Sequence, residues 1–398
     1  MKVDNIEEIR NQVIEMIDMT HDTDEQELHD IIDQQIVENY NINQLSINER
    51  YNIHREIYNS IRGLGVVEEL LKDESITEIM INGTKNIFIE RDGEISQIDH
   101  NYSSPTRLND VIQQIVGKTN KRVNQANPIV DTRLEDGSRV NVVLPPISLS
   151  GAVVTIRKFP SETIDMDKLI KWKSITKEAA DFLRTLVRAG YNIFVSGGTG
   201  SGKTTFLNAL SNFVEEDERV ITIEDSAELQ LKNIKNLISL ETRSSTDEGT
   251  TEISIRDLIR TSLRMRPDRV IVGEVRGPEA LDMLQAMNTG HDGSMSTGHA
   301  NSPKDMLARL ETMVLMGIDM PLLAIRSQIA SGIDIIIHLG RLHDKSRKVL
   351  EIDEVDGIKN GEIVLRKLFE LKKKGNEFEL TKITDKLLHR EKLISYEG

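Results

Sequence analysis

The sequence contains no cysteine among its 398 residues, which excludes disulfide bonds and thiolate metal sites. It also lacks any apolar run near the roughly 20 residues that a membrane-spanning helix requires. Its first ten residues, MKVDNIEEIR, are polar and acidic, unlike a secretory signal peptide. We therefore expect a cytoplasmic protein of two or three globular domains that associates with a membrane only through partner proteins.

Positive charge is scarce relative to negative charge, and the formal net charge is −15. Residues 1–62 contain five Lys and Arg and fourteen Asp and Glu, a net charge of 5 − 14 = −9. The phosphates of nucleic acid repel such a surface, so direct nucleic-acid binding is not expected. A local basic groove remains open as an alternative.

Residues 1–62 predict three short helices, because apolar residues recur there at helical spacing. Ser46 and Glu49 fit a capping box that opens the third helix. We interpret this segment as an N-terminal helical bundle or arm that takes no part in catalysis and either docks a partner or is a packing appendage.

The rest of the chain divides into a small domain, a linker and a large domain. Residues 63–158 alternate apolar and polar residues, with a turn signal at Asp92-Gly93 and a helical segment at 105–118, which predicts a small α+β domain. A polar segment predicts a linker over 159–170. In residues 171–398, short β-branched runs are each followed by a helical pattern, which is typical of a parallel sheet covered by helices.

The segment GGTGSGKT, residues 197–204, has the phosphate-loop pattern between a strand-like run and a helical segment. Backbone N–H groups of such a loop bind phosphate, and a lysine such as Lys203 neutralises the β and γ phosphates. Thr204 is expected to offer its hydroxyl to Mg²⁺. The residues expected to bind the nucleotide are Gly197, Gly198, Thr199, Gly200, Ser201, Gly202, Lys203, Thr204 and Thr205.

Acidic residues end the next apolar run, VITIEDSAEL. Because the carboxyl ends of parallel strands lie beside the phosphate loop, we expect Glu224, Asp225 and Glu228 within reach of the γ phosphate. Carboxylates there can orient a water molecule or contact a hydrated metal ion. The alternative is an acidic cluster at a helix N-terminus, which suits Asp225 better than Glu228.

A third apolar run, RVIVGE, ends in Glu274, where an aspartate is usual for a nucleotide hydrolase. Mg²⁺ keeps several water ligands, so a carboxylate can act on it through water. Glutamate is one methylene longer than aspartate, and we expect Gly273 to leave room for it close to the phosphate loop. Glu274 is therefore predicted to position the metal or a water, with its metal contact made through water.

Two histidines and two arginines are further candidates. His291 and His299 lie in TGHDGSMSTGHA, a segment rich in Gly, Ser and Thr after the third acidic strand, and are interpreted as γ-phosphate sensors, with a structural role as the alternative. Metal binding is not expected, because no close cluster of Asp or Glu accompanies them. Arg133 and Arg139 flank LEDGS just before the linker. Arginines from outside the nucleotide domain can stabilise the charge that develops on a transferred phosphoryl group.

Three more arginines, at positions 256, 260 and 264, lie four residues apart on a predicted helix. They form either an ordinary solvated face or a contact with a neighbouring subunit, and the sequence leaves both open.

Together these segments resemble the type II/type IV secretion ATPase superfamily, and most closely the tight-adherence (Tad) pilus assembly ATPases of the CpaF type. Four family boxes match in order: Walker A at 197–204, the aspartate box at 221–228, Walker B at 270–274 and the histidine box at 289–301. ITEIMING, FIERDGEI and DTRLEDGSRVNVVLPP extend the resemblance into the small domain, to about residues 60–370. The tetracysteine segment of many type II secretion ATPases is absent, which favours the Tad branch.

The resemblance implies an α/β fold, with a RecA-like P-loop NTPase domain after a small α+β domain and the helical arm. It implies a homo-hexamer that hydrolyses ATP with Mg²⁺ and drives pilus assembly with platform proteins at the inner membrane. It makes Glu274, Glu228 and Glu224 candidate hydrolytic carboxylates and His291 and His299 histidine-box residues. It adds Arg157, in TIRKF, to Arg133 and Arg139 as a phosphate-contacting arginine.

Two other interpretations remain open. A DNA-transport motor of conjugation or competence shares the four boxes, although the acidic balance disfavours direct contact with DNA. A nucleotide-binding scaffold without turnover is the second, and the intact Lys203, Thr204, Glu228 and Glu274 argue against it.

Overall fold

The chain forms two compact units, Met1–Ser161 and Glu162–Gly398. The computed structural model describes residues 4–16, 25–40, 45–61, 64, 66–91, 93–102, 104–119, 121–159, 163–243, 251–375 and 377–397. No helix in these ranges is long and apolar enough to span a membrane.

The first unit begins with the three expected helices, α1 (Asp4–Met16), α2 (Glu25–Asn39) and α3 (Ile47–Ile61). They share a small apolar core formed by Ile9, Val13, Leu28, Ile32, Ile36 and Ile57. The predicted capping box opens α3: the Ser46 N–H donates to Glu49 and the Glu49 N–H donates to the Ser46 hydroxyl. This reciprocal pair satisfies two N–H groups that the helix leaves without a partner.

A six-stranded antiparallel sheet with two helices follows. Its elements are α4 (Val66–Lys72), β1 (Ile76–Asn82), β2 (Asn86–Arg91), β3 (Glu94–Gln97), α5 (Pro105–Gly117), β4 (Ile129–Arg133), β5 (Arg139–Val143) and β6 (Val153–Arg157). The strand order is β3-β2-β1-β6-β5-β4. The expected turn lies between β2 and β3, where Gly93 has a φ of +79° and Asp92 lies outside the described residues. Helix α5 is capped by Ser104 and packs its apolar face against the sheet.

The second unit alternates helices and strands, then ends in long strands. Its elements are α6 (Met166–Lys171), α7 (Lys177–Arg188), β7 (Ile193–Gly197), α8 (Lys203–Ser211), β8 (Arg219–Glu224), β9 (Asn236–Glu241), α9 (Ile255–Ser262), β10 (Arg269–Val272), α10 (Glu279–Asn288), β11 (Met295–His299), α11 (Pro303–Gly317), α12 (Leu322–Gly332), β12 (Ile335–Arg341), β13 (Arg347–Lys359), β14 (Glu362–Lys374), β15 (Glu377–Lys382) and α13 (Glu391–Glu397).

The strands of the second unit form one sheet in the order β15-β14-β13-β12-β7-β11-β10-β8-β9. From β12 to β9 the neighbouring strands are parallel. In β7, Ile193 and Val195 face one apolar core and Phe194 faces the other. Burial of both faces explains why these strands are continuous apolar runs rather than alternating patterns.

A buried asparagine at the start of β7 joins the carboxyl ends of two helices to the residue before β11. The Asn192 side chain donates to the carbonyls of Met287 and Gly332 and accepts from the Ser294 N–H, at 3.2, 2.8 and 3.1 Å. It therefore fixes β7 relative to α10, α12 and β11. Since β7 ends in the phosphate loop, this tie also positions the loop.

The structure corrects three sequence-based expectations. Residues 166–170 of the predicted linker belong to α6, because Met166 and Leu169 are buried in the core of the second unit. Strand β8 is followed by the parallel strand β9, and the described residues between them form no helix. The antiparallel strands β13, β14 and β15 have no counterpart in the sequence prediction.

Candidate nucleotide-binding site

The phosphate loop connects β7 to α8 and has the backbone of an anion-binding turn. Gly200 and Gly202 have φ angles of +70° and +91°, which favour glycine. A Cβ on Gly197 would lie 2.6 Å from the Leu339 carbonyl oxygen, so only glycine fits there. Because Gly202 precedes α8, no capping side chain covers the first N–H groups of that helix. The local sequence therefore produces a surface of N–H groups suited to phosphate.

Lys203, the first residue of α8, turns its side chain back over the loop. Its Nζ donates to the Gly198 carbonyl at 3.1 Å and lies 3.2 Å from Nδ1 of His299. Burial lowers the pKa of Lys203, while Glu274 raises it and Arg276 lowers it. The lysine is thus held at the loop by a carbonyl and a histidine.

Glu274 lies just beyond β10 and is flanked by two basic side chains. Its Oε2 accepts from Arg276 at 2.8 Å, and its Oε1 lies 2.9 Å from Nε2 of His299. The histidine contact is not aligned as a hydrogen bond, and Oε1 has no hydrogen-bond partner among the described residues. Arg276 also lies 3.6 Å from Asp225. The structure thus brings Lys203, His299 and Glu274 together as the boxes predict.

These contacts define the tautomer of His299. Lys203 can only donate, so Nδ1 of His299 is the acceptor and Nε2 carries the proton toward Glu274. Burial lowers the pKa of His299, Lys203 lowers it further, and Glu274 opposes both. These effects together favour the neutral form of the imidazole.

Glu224 lies at the carboxyl end of β8, but its side chain is buried and binds the chain's own backbone. Its carboxylate accepts from the N–H groups of Glu228 and Leu229 at 2.9 and 3.2 Å. A Cβ on Gly273 would lie 2.8 Å from Cγ of Glu224. Glu224 therefore holds the loop after β8, and the space beside Gly273 is filled by Glu224. This corrects the expectation that Gly273 leaves room for Glu274.

Asp225 and Glu228 lie in the same loop, at the edge of the sheet that carries the phosphate loop. No helix begins among the described residues of this loop, so the alternative of helix-dipole acids is wrong.

His291 lies at the opposite edge of the sheet from the phosphate loop. It precedes β11, and its Nδ1 lies 3.3 Å from the Ala286 carbonyl at the end of α10. Its neighbour Asp292 packs against Gly190, which precedes β7. The structure therefore does not bring His291 to the site, and within one chain it does not act as a γ-phosphate sensor.

The three candidate arginines of the first unit form one row across its sheet. Arg133 of β4 is paired with Arg139 of β5, which is paired with Arg157 of β6. Residues paired in this way project from the same face of the sheet. Glu78 of β1 is the next residue along the row, beside Arg157. The row thus places three guanidinium groups, followed by one carboxylate, on one face of the sheet.

Two arginines of the helical stripe have an internal partner. Arg256 and Arg260 of α9 both bind the buried carboxylate of Asp282, at 2.8 and 2.7 Å. Arg264 is exposed and lies beyond the end of α9. The two ion pairs join α9 to α10, and neither a solvated face nor a subunit contact is needed to account for them.

Sequence reasoning missed two arginines at the site. Arg276 lies in RVIVGEVRG, two residues after Glu274, and this short spacing could have indicated that it lies at the site. Arg347 lies at the start of β13 and donates to the Gly200 carbonyl at 3.0 Å. No sequence motif indicates Arg347, because it lies 147 residues after Gly200 in the chain. It reaches the loop through the hairpin between β12 and β13.

The side chains present fit a nucleoside triphosphate with Mg²⁺. The loop offers N–H groups and Lys203 for phosphate, and Thr204 and Glu274 offer the oxygen ligands that Mg²⁺ prefers. Among the described residues, no group of three or more His, Asp or Glu could hold a metal without such a substrate.

Comparisons with known proteins identify the family of the chain. A family model described as "Type II/IV secretion system protein" matches residues 60–377. The chain is 34% identical over 294 residues to the conjugal transfer protein TrbB of Rhizobium radiobacter, covering 73% of this chain and 87% of that protein. It is 36% identical over 259 residues to the type IV secretion system protein PtlH of Bordetella pertussis, covering 58% and 76%.

Solved structures agree in fold. The pilus retraction motor PilT with bound ADP matches with a TM-score of 0.54 and 21% identity, covering 81% of this chain and 83% of that one. The ATPase DotB of Legionella pneumophila matches with a TM-score of 0.52 and 21% identity, covering 72% and 78%.

The chain belongs to the type II/IV secretion system protein family. This confirms the superfamily inferred from the four boxes, and the solved structures confirm the α/β fold with its RecA-like nucleotide domain.

His299 should titrate below its ordinary pKa of 6.5, since burial and Lys203 both disfavour the imidazolium. Lys203→Met should raise this pKa and Glu274→Gln should lower it, because Lys203 repels the charged ring and Glu274 attracts it. Because the pKa of His299 is lower in the folded state than in the unfolded state, its contribution to the free energy of unfolding should be fully present above pH 6.5. That contribution should fall as the pH drops toward the pKa of the folded state. NMR titration of ¹³C-labelled histidine, assigned with His299→Gln, measures this. A pKa above 6.5, or shifts of one sign in both variants, would contradict the arrangement.

Proposed function

We propose that the protein is a Mg²⁺-dependent ATPase that powers a pilus or secretion machine. The observation that carries this proposal is the contact chain Lys203–His299–Glu274, which joins the phosphate loop to the carboxylate after β10. A scaffold that only binds nucleotide needs the lysine but has no use for a carboxylate held beside it. Membership of the secretion ATPase family supports the same conclusion.

Different residues of the chain have different roles in hydrolysis. Lys203 and the N–H groups of the loop bind and orient the phosphates. Glu274 positions the attacking water and accepts its proton, while Arg276 holds the carboxylate through Oε2 and His299 lies beside Oε1. Glu228 is a second candidate carboxylate at the same edge. When bound, Mg²⁺ neutralises charge on the phosphates, with Thr204 as a ligand and Glu274 acting through water.

Glu274→Gln should retain ATP binding but lower kcat by about 10²-fold or more, because the amide cannot take a proton from water. Lys203→Ala should abolish both binding and turnover, since the phosphates lose the cation of the loop. Calorimetric titration and phosphate release measure the two properties. Glu252→Gln, at an exposed position, is the matched control. Hydrolysis at the wild-type rate by Glu274→Gln would refute the assigned role.

We further infer that the active species is a homo-hexameric ring in which the first unit contributes arginines to the nucleotide. The row formed by Arg133, Arg139 and Arg157 concentrates positive charge on one face of that unit's sheet. Phosphoryl transfer requires cations around the equatorial oxygens, and Lys203 is one such group. Closure of the first unit on ATP and release from ADP would convert hydrolysis into domain motion.

Arg139→Gln should slow turnover by an amount on the order of 10³-fold while leaving ADP affinity nearly unchanged, because ADP lacks the γ phosphate. Arg122→Gln, at an exposed position in the same unit, is the control. Light scattering with a non-hydrolysable ATP analogue should give a hexamer mass. A monomeric mass in the presence of the analogue, together with full activity, would exclude the ring.

The proposed machine is a Tad pilus, for which the chain is an assembly ATPase of the CpaF type, with retraction as a further role, acting with platform proteins at the inner face of the cytoplasmic membrane. The lack of cysteine and the quoted boxes support this branch. A DNA-transport motor is the second candidate, because a relative at 34% identity is a conjugal transfer protein.

Deletion of the gene should remove surface filaments and leave plasmid transfer between cells intact, because a pilus motor supplies the work of filament assembly. Electron microscopy and mating frequency measure the two outcomes, and expression of Lys203→Ala in the deletion strain controls for loss of the protein itself. Intact filaments with lost transfer would assign the chain to conjugation.

A further inference from the structure

A buried histidine lies on the strand next to β7, at the level where the phosphate loop begins. His338 of β12 is paired with Ser196 of β7 in the parallel ladder, and Ser196 directly precedes Gly197, the first residue of the loop. Both side chains are almost fully buried, with His338 5% and Ser196 0% exposed. Hydrolysis as proposed above uses neither of them.

The face of the sheet on which this pair lies is otherwise apolar. Phe194 of β7 and Ile336 of β12 lie two residues earlier on their strands and face one core, which Met306 of α11 also lines. Because side chains alternate along a strand, Ser196 and His338 face the same side. Polar groups buried in such surroundings cost free energy unless they are hydrogen-bonded, so the imidazole requires polar partners.

The imidazole has partners on two separate segments. Its Nδ1 lies 2.9 Å from Oγ of Ser196. Burial lowers the pKa of His338, whereas Glu351 and a hydrogen bond with the backbone of Asn301 raise it. A backbone group that favours the charged ring must be an acceptor, which is the carbonyl of Asn301. A neutral imidazole can accept from the Ser196 hydroxyl with one nitrogen and donate to this carbonyl with the other.

Both segments lead directly to the candidate site. Ser196 is followed by the phosphate loop, and Asn301 lies two residues beyond His299. In the sheet, β7 lies between β12 and β11. The side chain of His338 therefore joins the end of β7 to the segment that follows β11.

The backbone connection between these two strand ends is long where the site begins. His299 is paired with Gly197 at the last position of the ladder, and the next hydrogen bond, from the Ala300 N–H to the Gly197 carbonyl, measures 3.4 Å. Backbone hydrogen bonds are usually about 2.9 to 3.0 Å. A side-chain contact across the same junction adds a restraint there. Lys203 and His299 lie on the two sides of this junction, so their 3.2 Å contact depends on it.

We propose that His338 is a positioning residue of the ATPase, which holds the phosphate loop and the histidine-box segment so that His299 meets Lys203. It acts through Ser196 and Asn301 rather than by contact with the nucleotide. This inference rests on the proposed function and adds a residue that lies outside all four boxes.

His338→Leu removes the polar contacts and keeps an apolar side chain in the core. It should lower kcat about tenfold and change KM by less than about twofold, because a small misplacement of the catalytic groups slows the reaction while the loop still binds phosphate. His338→Gln should restore most of the rate, since an amide both accepts and donates. Ser196→Ala added to His338→Leu should cost little more than His338→Leu alone, because the two side chains share one contact. Steady-state phosphate release measures these rates.

The pKa of His299 provides a second measurement, which a merely structural role of His338 would not change. Lys203 lowers this pKa more than Glu274 raises it, so separation of His299 from Lys203 should raise it. NMR titration of His338→Leu should therefore give His299 a higher pKa than in the wild-type protein. Ile336→Ala, on the same strand and in the same core, is the control. It should lower stability and leave kcat and this pKa unchanged.

An unchanged kcat in His338→Leu would overturn the proposal. So would a lower kcat that matches the loss of folded protein, measured by circular dichroism, with the pKa of His299 unchanged. If His338→Leu does not fold, Ser196→Ala removes a single oxygen from the same contact and is judged by the same two measurements. A wild-type protein that does not hydrolyse ATP would refute the proposed function, and the pKa of His299 would still decide whether His338 positions that segment.

Discussion

The parallel register of β7, β11 and β10 is the constraint on which the site depends. Gly197 at the end of β7 pairs with His299 at the end of β11, and Ser296 of β11 pairs with Val272 of β10. Each strand therefore ends at the same edge of the sheet, and residues far apart in sequence meet there. The hydrogen bonds of Asn192 secure the opposite ends of β7 and β11, so the register of these two strands and the site are maintained together.

The structural features that could be predicted from the sequence were mostly those formed by residues close together in the chain. The phosphate loop is specified by glycines with positive φ and by a strand and helix on either side, all within about a dozen residues. The capping box at Ser46 and the helix α5 are equally local, and each formed as expected. Glu274 and His299 were placed correctly because a residue after a buried parallel strand must lie at the carboxyl edge. This rule needs the order of elements and no knowledge of side-chain packing.

The rule that a residue after a buried parallel strand lies at the carboxyl edge does not predict where its side chain points, and there the predictions were wrong. Glu224 also ends a parallel strand, yet its carboxylate turns inward and binds the N–H groups of the following loop. His291 is close to His299 in sequence, but a whole strand separates them, so they lie at opposite edges of the sheet. Arg347 depends on the long antiparallel hairpin of β12 and β13, a pairing that no local pattern indicates.

The geometry also explains why a glutamate follows β10. The carboxylate must meet His299 on one side and Arg276 on the other, which it does with separate oxygens at 2.9 and 2.8 Å. An aspartate is one methylene shorter, so from the same backbone position its oxygens would lie farther from both partners. Lys203 has three N–H donors, and within the described residues Gly198 and His299 accept two of them. One donor is thus left for a phosphate oxygen while the contacts that hold Glu274 persist, so phosphate binding and carboxylate positioning are compatible in one site.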